Sequence, residues 1–330
     1  MKSACLLPSA LLLASSNILA TRFLALAQDS NLTFPKRGLI YIQPDRGHER
    51  DYKNFIGPNS PLTWYYTYSP WPTLTQWSAE FVPMVHGVKD AEESVDRIIA
   101  FQNGSSGSLG ENTMMRVLSF NEPDGDTDSG GSDSSPRHSA EVYLETIAPL
   151  RRDPYNFQVS LPATTGSSRG LEWLADFNES CWDQNPNAGC EFDFVATHWY
   201  GDFAGMASWL GTIHSLYPDM PIWLTEFAIP GLEEDETLAF MNQSLPFLDD
   251  LEYLERYSWF GTFRDNDANE WTGDGVSMLN GDGELSSLGA NYMGGHDAGF
   301  EEGQGGAASS VRCSILLLVV GVSIASLLAS

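Results

Sequence analysis

The sequence predicts a single-domain α/β protein built as a (β/α)8 barrel. Eight short apolar runs, rich in β-branched and aromatic residues and poor in polar alternation, recur along the chain as buried parallel strands should. Amphipathic segments with helical periodicity lie between several of these runs, and such alternation over roughly 250 residues is typical of an eightfold barrel. An open doubly wound sheet is the alternative, but no Gly-rich phosphate loop follows the first apolar run.

The predicted strands and helices alternate along the chain. The strands are Gly38–Ile42, Leu62–Tyr66, Phe81–Val85, Met115–Phe120, Phe157–Leu161, Phe192–His198, Ile222–Glu226 and Tyr257–Phe260. One helical stripe begins after Asp90, and three more cover Gly170–Phe177, Met206–Tyr217 and Glu236–Leu248. Pro218 ends the helix predicted over Met206–Tyr217. The segment Gly273–Gly294 predicts a hairpin or a capping excursion after the last strand.

The N-terminal residues have the pattern of a cleaved secretion signal. Residues 1–27 contain Lys2, an apolar stretch over 6–20, and the small-x-small cleavage site Ala25-Leu26-Ala27. A membrane anchor is the alternative, but the stretch is short and Arg22 follows it closely. We therefore expect an extracellular protein.

The C-terminal residues have the pattern of a GPI-anchor signal. The apolar run Ile315–Ala329 is shorter than the ~17–25 residues that span a bilayer, and no Lys or Arg follows it. Small residues over 305–310 precede the run, which favours anchor attachment at Gly305 and removal of residues 306–330. A single-pass helix is the alternative. The expected domain is then 28–305, at the outer face of the plasma membrane or in the cell wall.

Two of the four cysteines are predicted to form a disulfide. Cys5 and Cys313 would be removed with the two ends, and Cys181 and Cys190 are a close pair in a protein expected to be secreted. The sequons, which are expected glycosylation sites, are at Asn31, Asn103, Asn178 and Asn242.

The charge of the chain narrows the class of partner. A formal net charge of −27 argues against nucleic acid and against direct binding to anionic membranes. The charge is compatible with a neutral polysaccharide. Nucleotide loops, Ser nucleophile elbows and His-Glu-x-x-His motifs are absent, and the acidic loops at Asp124 and Asp265 lack the Gly and Glu of a calcium loop. We expect a monomer without cofactor or metal, attached to a membrane only through its lipid anchor.

Two glutamates are the candidates for chemistry. Glu122 follows predicted strand four, Glu226 ends predicted strand seven, and the C-terminal strand ends form the active face of a barrel. Burying a carboxylate alone costs several kcal/mol, so each must be paired or functional. For either one, a structural ion pair is the alternative. Two carboxylates facing across one cleft are what glycoside hydrolysis requires.

Further side chains at the strand ends suit a sugar site. His198 and Tyr200 are two residues apart, so both should point towards the barrel mouth. Trp199 lies between them, and Tyr66 belongs to the aromatic stretch Trp64–Tyr68 at the end of strand two. Aromatic faces pack against the C–H faces of sugar rings, although core packing explains most tryptophans in a domain of this size.

With these residues the chain resembles glycoside hydrolase family 128, fungal endo-β-1,3-glucanases of the retaining (β/α)8 type. The motifs that carry the resemblance are Trp64-Tyr65-Tyr66, Phe81-Val82-Pro83-Met84, Phe120-Asn121-Glu122-Pro123-Asp124, His198-Trp199-Tyr200-Gly201 and Thr225-Glu226-Phe227-Ala228. Asn-Glu-Pro alone is a weak signal, whereas five motifs in this order are specific. His86 departs from the family pattern, because relatives often carry Trp at this position. The length of glucan chain that the protein prefers is therefore left open.

The resemblance implies roles for the site residues. Glu122 would be the acid/base and Glu226 the nucleophile of a double displacement. The side chains implied around the substrate are Asn121, His198, Tyr200 and Trp259. Asn121 would bind the sugar 2-hydroxyl, Tyr200 would orient the nucleophile, and Trp259 would form the floor.

The activity that the resemblance implies is endo-β-1,3-glucan hydrolysis. A wall-associated glucan-binding protein with little turnover and a glucan transglycosylase are the alternatives, and a structural surface protein is a third. Both glutamates argue against binding alone, and an intact aromatic cleft argues against a purely structural role.

Overall fold

The computed structural model describes residues 34–42, 47–56, 59–74, 77, 79–104 and 115–305 of the chain. The predicted secretion signal 1–27, the sequon at Asn31 and the predicted anchor signal 306–330 lie outside these residues. The asparagines of the other sequons, Asn103, Asn178 and Asn242, are exposed. Among the described helices, none combines the length and apolar character needed to cross a bilayer.

Eight parallel strands form the barrel. They are β1 Arg37–Ile40, β2 Trp64–Tyr66, β3 Glu80–Phe81, β4 Arg116–Val117, β5 Gln158–Leu161, β6 Phe194–Tyr200, β7 Ile222–Ala228 and β8 Leu254–Trp259. Their order is β3-β2-β1-β8-β7-β6-β5-β4. A parallel bridge between Met84 and Leu118, just beyond β3 and β4, joins the two ends of this sheet. The predicted (β/α)8 barrel is therefore confirmed, with each strand where an apolar run predicts it.

Helices surround the strands. They are α1 Ala91–Gln102, α2 Pro136–Val142, α3 Ser168–Gln184, α4 Phe203–Leu216, α5 Glu234–Asp250, α6 Ser287–Tyr292 and α7 Gly295–Ala298. The four predicted helices correspond to α1, α3, α4 and α5. Sequence patterning missed α2 because its buried residues are the small Ser139 and Ala140, which produce no large apolar stripe.

The predicted hairpin after β8 is present in a minimal form. One antiparallel bridge joins Leu279 to Leu285. The turn between them is closed by the Asn280 amide, which donates to the Glu284 carbonyl at 2.9 Å. Ser286, the next residue, caps α6 by accepting from the Gly289 amide at 3.1 Å.

Aromatic rings fill the interior of the barrel below its mouth. The Trp64 ring lies 5.2 Å from that of Trp223, which stacks on Phe194 at 4.2 Å. Gly38 on β1 provides the space, since a Cβ there would lie 2.2 Å from the Trp64 ring. These rings fill the barrel beneath its C-terminal strand ends, where the active face of such a barrel lies.

Charged side chains close the opposite end of the barrel. Glu80 binds Arg116 at 3.0 Å and Arg256 at 2.5 Å. The Arg256 guanidinium also lies 4.4 Å from the centroid of the Trp223 ring. Since these side chains are largely buried, their mutual pairing avoids the penalty of an isolated charge.

The predicted disulfide is present. Cys181, near the end of α3, is bonded to Cys190, which lies before β6, with a sequence separation of 9. Because the loop is short, the bond constrains one local excursion of the chain.

Arg37 connects β1 to three other elements. Its guanidinium donates to the Tyr257 hydroxyl at 2.7 Å, to the Tyr292 carbonyl at 3.0 Å and to the Asp249 carboxylate at 2.6 Å. These partners lie on β8, α6 and α5. Arg37 is 5% exposed, so the charged groups of this network depend on one another for compensation.

Replacing Arg37 should strongly destabilise the protein. In Arg37→Met the partly exposed Asp249 carboxylate, whose side chain is 29% exposed, loses its cationic partner. Breaking a fully buried pair lowers the free energy of unfolding by about 3–5 kcal/mol, so this variant should lose somewhat less than that. Denaturant unfolding measures this loss. The control is Arg152→Met, whose side chain is 72% exposed and should contribute less than about 1 kcal/mol. Equal stabilities of the two variants would contradict the role given to Arg37.

Candidate active site

Three ionisable side chains meet at the C-terminal ends of the strands. Glu122 follows β4, His198 lies on β6 and Glu226 lies on β7. The His198 Nδ1 atom is 2.8 Å from Glu122 Oε1 and 3.5 Å from Glu226 Oε2. One carboxylate oxygen of Glu122 lies within 4.8 Å of one carboxylate oxygen of Glu226. The structure therefore brings the two predicted glutamates together across the mouth of the barrel.

A bulge in β7 turns Glu226 towards this mouth. The β6–β7 register pairs Thr197 with Leu224 and then His198 with Glu226, so Thr225 is an extra residue. Leu224 packs outwards against the helices, and strict alternation would send Glu226 the same way. Because a bulge re-aims the side chains that follow it, Glu226 points into the cleft instead.

Two tyrosines hold the Glu226 carboxylate. The Tyr68 hydroxyl donates to Oε1 and the Tyr200 hydroxyl donates to Oε2, each at 2.7 Å. Burial raises the pKa of Glu226, the His198 charge opposes that rise, and the Glu122 charge adds to it; the two hydroxyls favour the ionised form. Both carboxylate oxygens are thus fixed in direction, as a nucleophile requires.

Tyr68 belongs to the aromatic stretch that the sequence analysis noted, but its contact with Glu226 was not predicted. It stands two residues beyond Tyr66, on the same face of an extended chain, so it reaches the mouth where Tyr66 does not. That parity was visible in the sequence Trp64-Tyr65-Tyr66-Thr67-Tyr68. The sequence did not show that β2 ends at Tyr66 or that Tyr68 adopts a left-handed conformation, with a φ of 56°.

The backbone around Glu122 is held from several sides. Glu122 has a φ of 39°, in the left-handed region that is unfavourable for a residue with a Cβ. Its amide donates to the Ala163 carbonyl at 2.7 Å, which attaches it to the chain beyond β5. Two residues later, the Asp124 carboxylate accepts from both the amide and the hydroxyl of Thr165. Surrounding contacts therefore hold a conformation that this segment would not adopt alone.

His198 lies between the two carboxylates and is fully buried. Burial lowers its pKa, but the charges of Glu226 and Glu122 outweigh burial, so the pKa of His198 is raised. A protonated imidazole would offset part of the repulsion between the two carboxylates. This position differs from that of a side chain that merely lines the cleft.

Asn121 lies beside the catalytic pair, whereas Tyr66 lies beneath it. The Asn121 side chain is largely buried and donates to the Gly130 carbonyl at 3.2 Å. Tyr66 is 0% exposed, and its hydroxyl donates to the Thr225 carbonyl at 3.0 Å, directly at the bulge. The expectation that Tyr66 contacts sugar is therefore corrected: it supports the bulge from inside the barrel.

The two predicted tryptophans point away from the cleft. Trp259 is two residues beyond Tyr257 on β8, so both side chains point outwards from the barrel. Trp259 is 0% exposed, and its ring centroid lies 6.1 Å from that of Phe240 on α5. It cannot form the floor of the site. Trp199, between two inward residues of β6, faces outwards and lies 6.1 Å from Trp209 of α4. Strand alternation accounts for both corrections.

His86 borders the cleft on the β3 side. Its ring lies 6.5 Å from that of Tyr68, and burial lowers its pKa. Within the described part of the chain, Glu122, His198 and Glu226 also have a spacing that could hold a metal ion. Since both oxygens of Glu226 already accept hydrogen bonds from tyrosines, the arrangement fits an oriented carboxylate better than a metal ligand.

Comparison with known proteins adds to this geometry. The family model described as the glycosyl hydrolase catalytic core matches residues 38–292. The "Alkali-sensitive linkage protein 1" of Schizosaccharomyces pombe is 31% identical over 268 residues, which cover 78% of this chain and 44% of that protein. The chain thus spans less than half the length of this curated relative.

Solved structures of family 128 enzymes have the same fold. An exo-β-1,3-glucanase from Aureobasidium namibiae superposes with a TM-score of 0.64 at 20% identity, covering 80% of this chain and 97% of that one. An endo-β-1,3-glucanase from Lentinula edodes superposes with a TM-score of 0.62 at 27% identity, covering 79% of this chain and 100% of that one.

Replacing Glu226 should change how stability depends on pH. The folded state raises the pKa of Glu226 above its ordinary value of 4.5, so it binds this proton more tightly than the unfolded chain does. The parent should therefore lose stability as the pH rises from that value through the folded pKa. Glu226→Gln has no proton to lose, so its stability relative to the parent should increase over the same window.

Melting temperatures measured from about pH 4 to pH 8 test this expectation. Glu179→Gln, at an exposed position on α3, is the matched control and should follow the parent throughout. A difference between Glu226→Gln and the parent that does not vary with pH would contradict the raised pKa.

Proposed function

Because the chain belongs to the glycosyl hydrolase catalytic core family, we propose that it is a retaining glycoside hydrolase that cleaves β-1,3-glucan. The resemblance to family 128 is confirmed by the family model and the solved structures. The observation that carries the proposal is the distance between the carboxylates. Retaining enzymes need about 5–5.5 Å between the two groups and inverting enzymes about 6.5–9.5 Å. An oxygen–oxygen distance within 4.8 Å supports retention.

The geometry supports a double displacement. Glu226, oriented by Tyr68 and Tyr200, attacks the anomeric carbon while Glu122 donates its proton to the departing glycosidic oxygen. The anomeric carbon is then bonded to Glu226, and the cleaved chain leaves as an alcohol. Glu122, now a carboxylate, takes a proton from water, which attacks the same carbon and releases Glu226. A sugar hydroxyl in place of water would give glucan transfer.

The proposed substrate rests on a solved structure whose sequence identity to this chain is high enough to suggest more than a shared fold. The Lentinula edodes enzyme, 27% identical over its whole chain, is an endo-β-1,3-glucanase, and we propose endo action on the same linkage here. The fission yeast relative is named for an alkali-sensitive linkage, which keeps glucan transfer or wall attachment as a second candidate. Both glutamates are present and paired, which favours turnover over glucan binding alone.

Single replacements of the glutamates should separate their roles. Glu226→Ala should abolish nearly all laminarin cleavage, because no covalent intermediate can form; azide should restore part of the turnover, with inverted product. Glu122→Ala should slow laminarin cleavage by roughly 10²–10⁴-fold but slow activated aryl glycosides less, because their leaving groups need little protonation. Reducing-sugar release and product anomer ratios measure both effects.

The control is Glu172→Ala, at an exposed position on α3, which should retain parental activity. Laminarin cleavage within a few-fold of the parent in both Glu122→Ala and Glu226→Ala would disprove this site and this activity. β-1,4- and β-1,6-glucans serve as linkage controls. Transfer products, rather than hydrolysis products, from laminarin would favour the transglycosylase.

We further propose that the protein acts at the cell surface, attached through a GPI anchor near Gly305. The small residues before the apolar run Ile315–Ala329 support this location. A phosphatidylinositol-specific phospholipase should release the protein from cells. Truncation after Gln304 should send active enzyme into the medium, because the barrel strands and α1–α7 end before that residue. Recovery of the peptide 315–329 from the mature protein would overturn the anchor.

A further inference from the structure

Trp271 is an exposed aromatic residue that contacts the catalytic site. It follows β8 in the loop over residues 265–276 and is 60% exposed. Its ring lies 4.7 Å from the Tyr200 ring at an interplanar angle of 67°. Tyr200 in turn binds Glu226 Oε2 at 2.7 Å. A large apolar side chain left in water beside a catalytic group indicates a surface that a ligand covers.

The loop around Trp271 is fixed on both sides of the ring. Asn269 Oδ1 accepts from the amides of Trp271 and Thr272, at 3.1 and 2.8 Å. Thr272 is fully buried, and its carbonyl accepts from the Gly231 amide at 3.0 Å. The backbone thus holds the indole in place while its surface remains open. An aromatic platform positioned before binding loses little entropy when a ligand stacks on it.

The other exposed tryptophans of the described residues have different surroundings. Trp71, 43% exposed, lies 4.6 Å below the Arg97 guanidinium. Trp182, 49% exposed, covers Gly189 in the disulfide loop, where a Cβ would lie 3.0 Å from its ring. Of the three, Trp271 is the one whose ring contacts a tyrosine bound to a catalytic carboxylate.

We propose that Trp271 is a stacking platform for a glucosyl unit on the glycone side of the cleft. The inference rests on the proposed function. The nucleophile bonds to the sugar that remains on the enzyme, whereas the acid protonates the oxygen of the sugar that leaves. Trp271 contacts the nucleophile's tyrosine, so the chain it binds is the part that Glu226 retains. The C–H face of a glucose ring is the surface that an indole recognises.

Aryl glycosides carrying one, two or three β-1,3-linked glucosyl units test the platform. Their glycone grows while their leaving group stays constant. In the parent, kcat/KM should rise as glucosyl units are added. In Trp271→Ala the rise in kcat/KM with added glucosyl units should be about tenfold smaller, which is the change expected when tens of Å² of aromatic contact are removed. Trp271→Phe should recover part of the gain, and Trp182→Ala should match the parent at every length.

A binding measurement separates stacking from indirect effects on Tyr200. Calorimetry with laminarihexaose, in a Glu122→Gln background that does not turn over, should show about tenfold weaker binding when Trp271→Ala is added. A fall in kcat that is equal at every glycone length, with unchanged binding, would assign Trp271 to support of Tyr200 and overturn the platform.

Two other outcomes distinguish failures of the inference and of the function. If Trp271→Ala cleaves laminarin poorly but processes aryl glycosides of every length like the parent, Trp271 binds the leaving side and the glycone assignment is wrong. If the parent itself neither cleaves nor binds β-1,3-glucan, the proposed function fails and this inference fails with it. Parental values of Trp271→Ala on every substrate would overturn the inference alone.

Discussion

The site depends on the close approach of the Glu122 and Glu226 carboxylates, which have oxygens within 4.8 Å of each other and are almost closed to water. Burial and the charge of Glu122 both raise the pKa of Glu226, so its ionised form needs compensating contacts. The His198 imidazole lies between them, with its pKa raised by their charges, and the hydroxyls of Tyr68 and Tyr200 bind both oxygens of Glu226. The same contacts that reduce the repulsion also fix the orientation of the Glu226 carboxylate, so one set of hydrogen bonds both stabilises and orients this group.

The barrel interior provides a rigid base for this pair. The bulge at Thr225, which aims Glu226 inwards, rests on the hydroxyl of Tyr66. Tyr66 stacks on Trp64 at 6.0 Å, and Trp64 fits only because Gly38 has no side chain. Since close-packed interiors resist small displacements, this column of rings holds the backbone at Glu226 rigidly in place.

The loops contribute what the strands cannot. Glu122 and Tyr68 both adopt left-handed backbone conformations, with φ values of 39° and 56°. Such conformations occur where surrounding contacts impose them, and they place two functional side chains beyond the strand ends. The loop after β8 does the same for Trp271, which it presents to the cleft from a buried anchor at Thr272.

The sequence alone determined the eight strands, which follow from local periodicity, and the Cys181–Cys190 disulfide, which follows from the two cysteines left in the expected domain. It also singled out Glu122 and Glu226, because carboxylates at the C-terminal ends of barrel strands are costly to bury without a partner or a function. The tertiary structure decided which side chains face the cleft. Trp259 points outwards and Trp271 reaches the site. The physical reason is that a side chain's direction depends on strand parity, bulges and loop anchoring, which long-range contacts set and local patterns do not record.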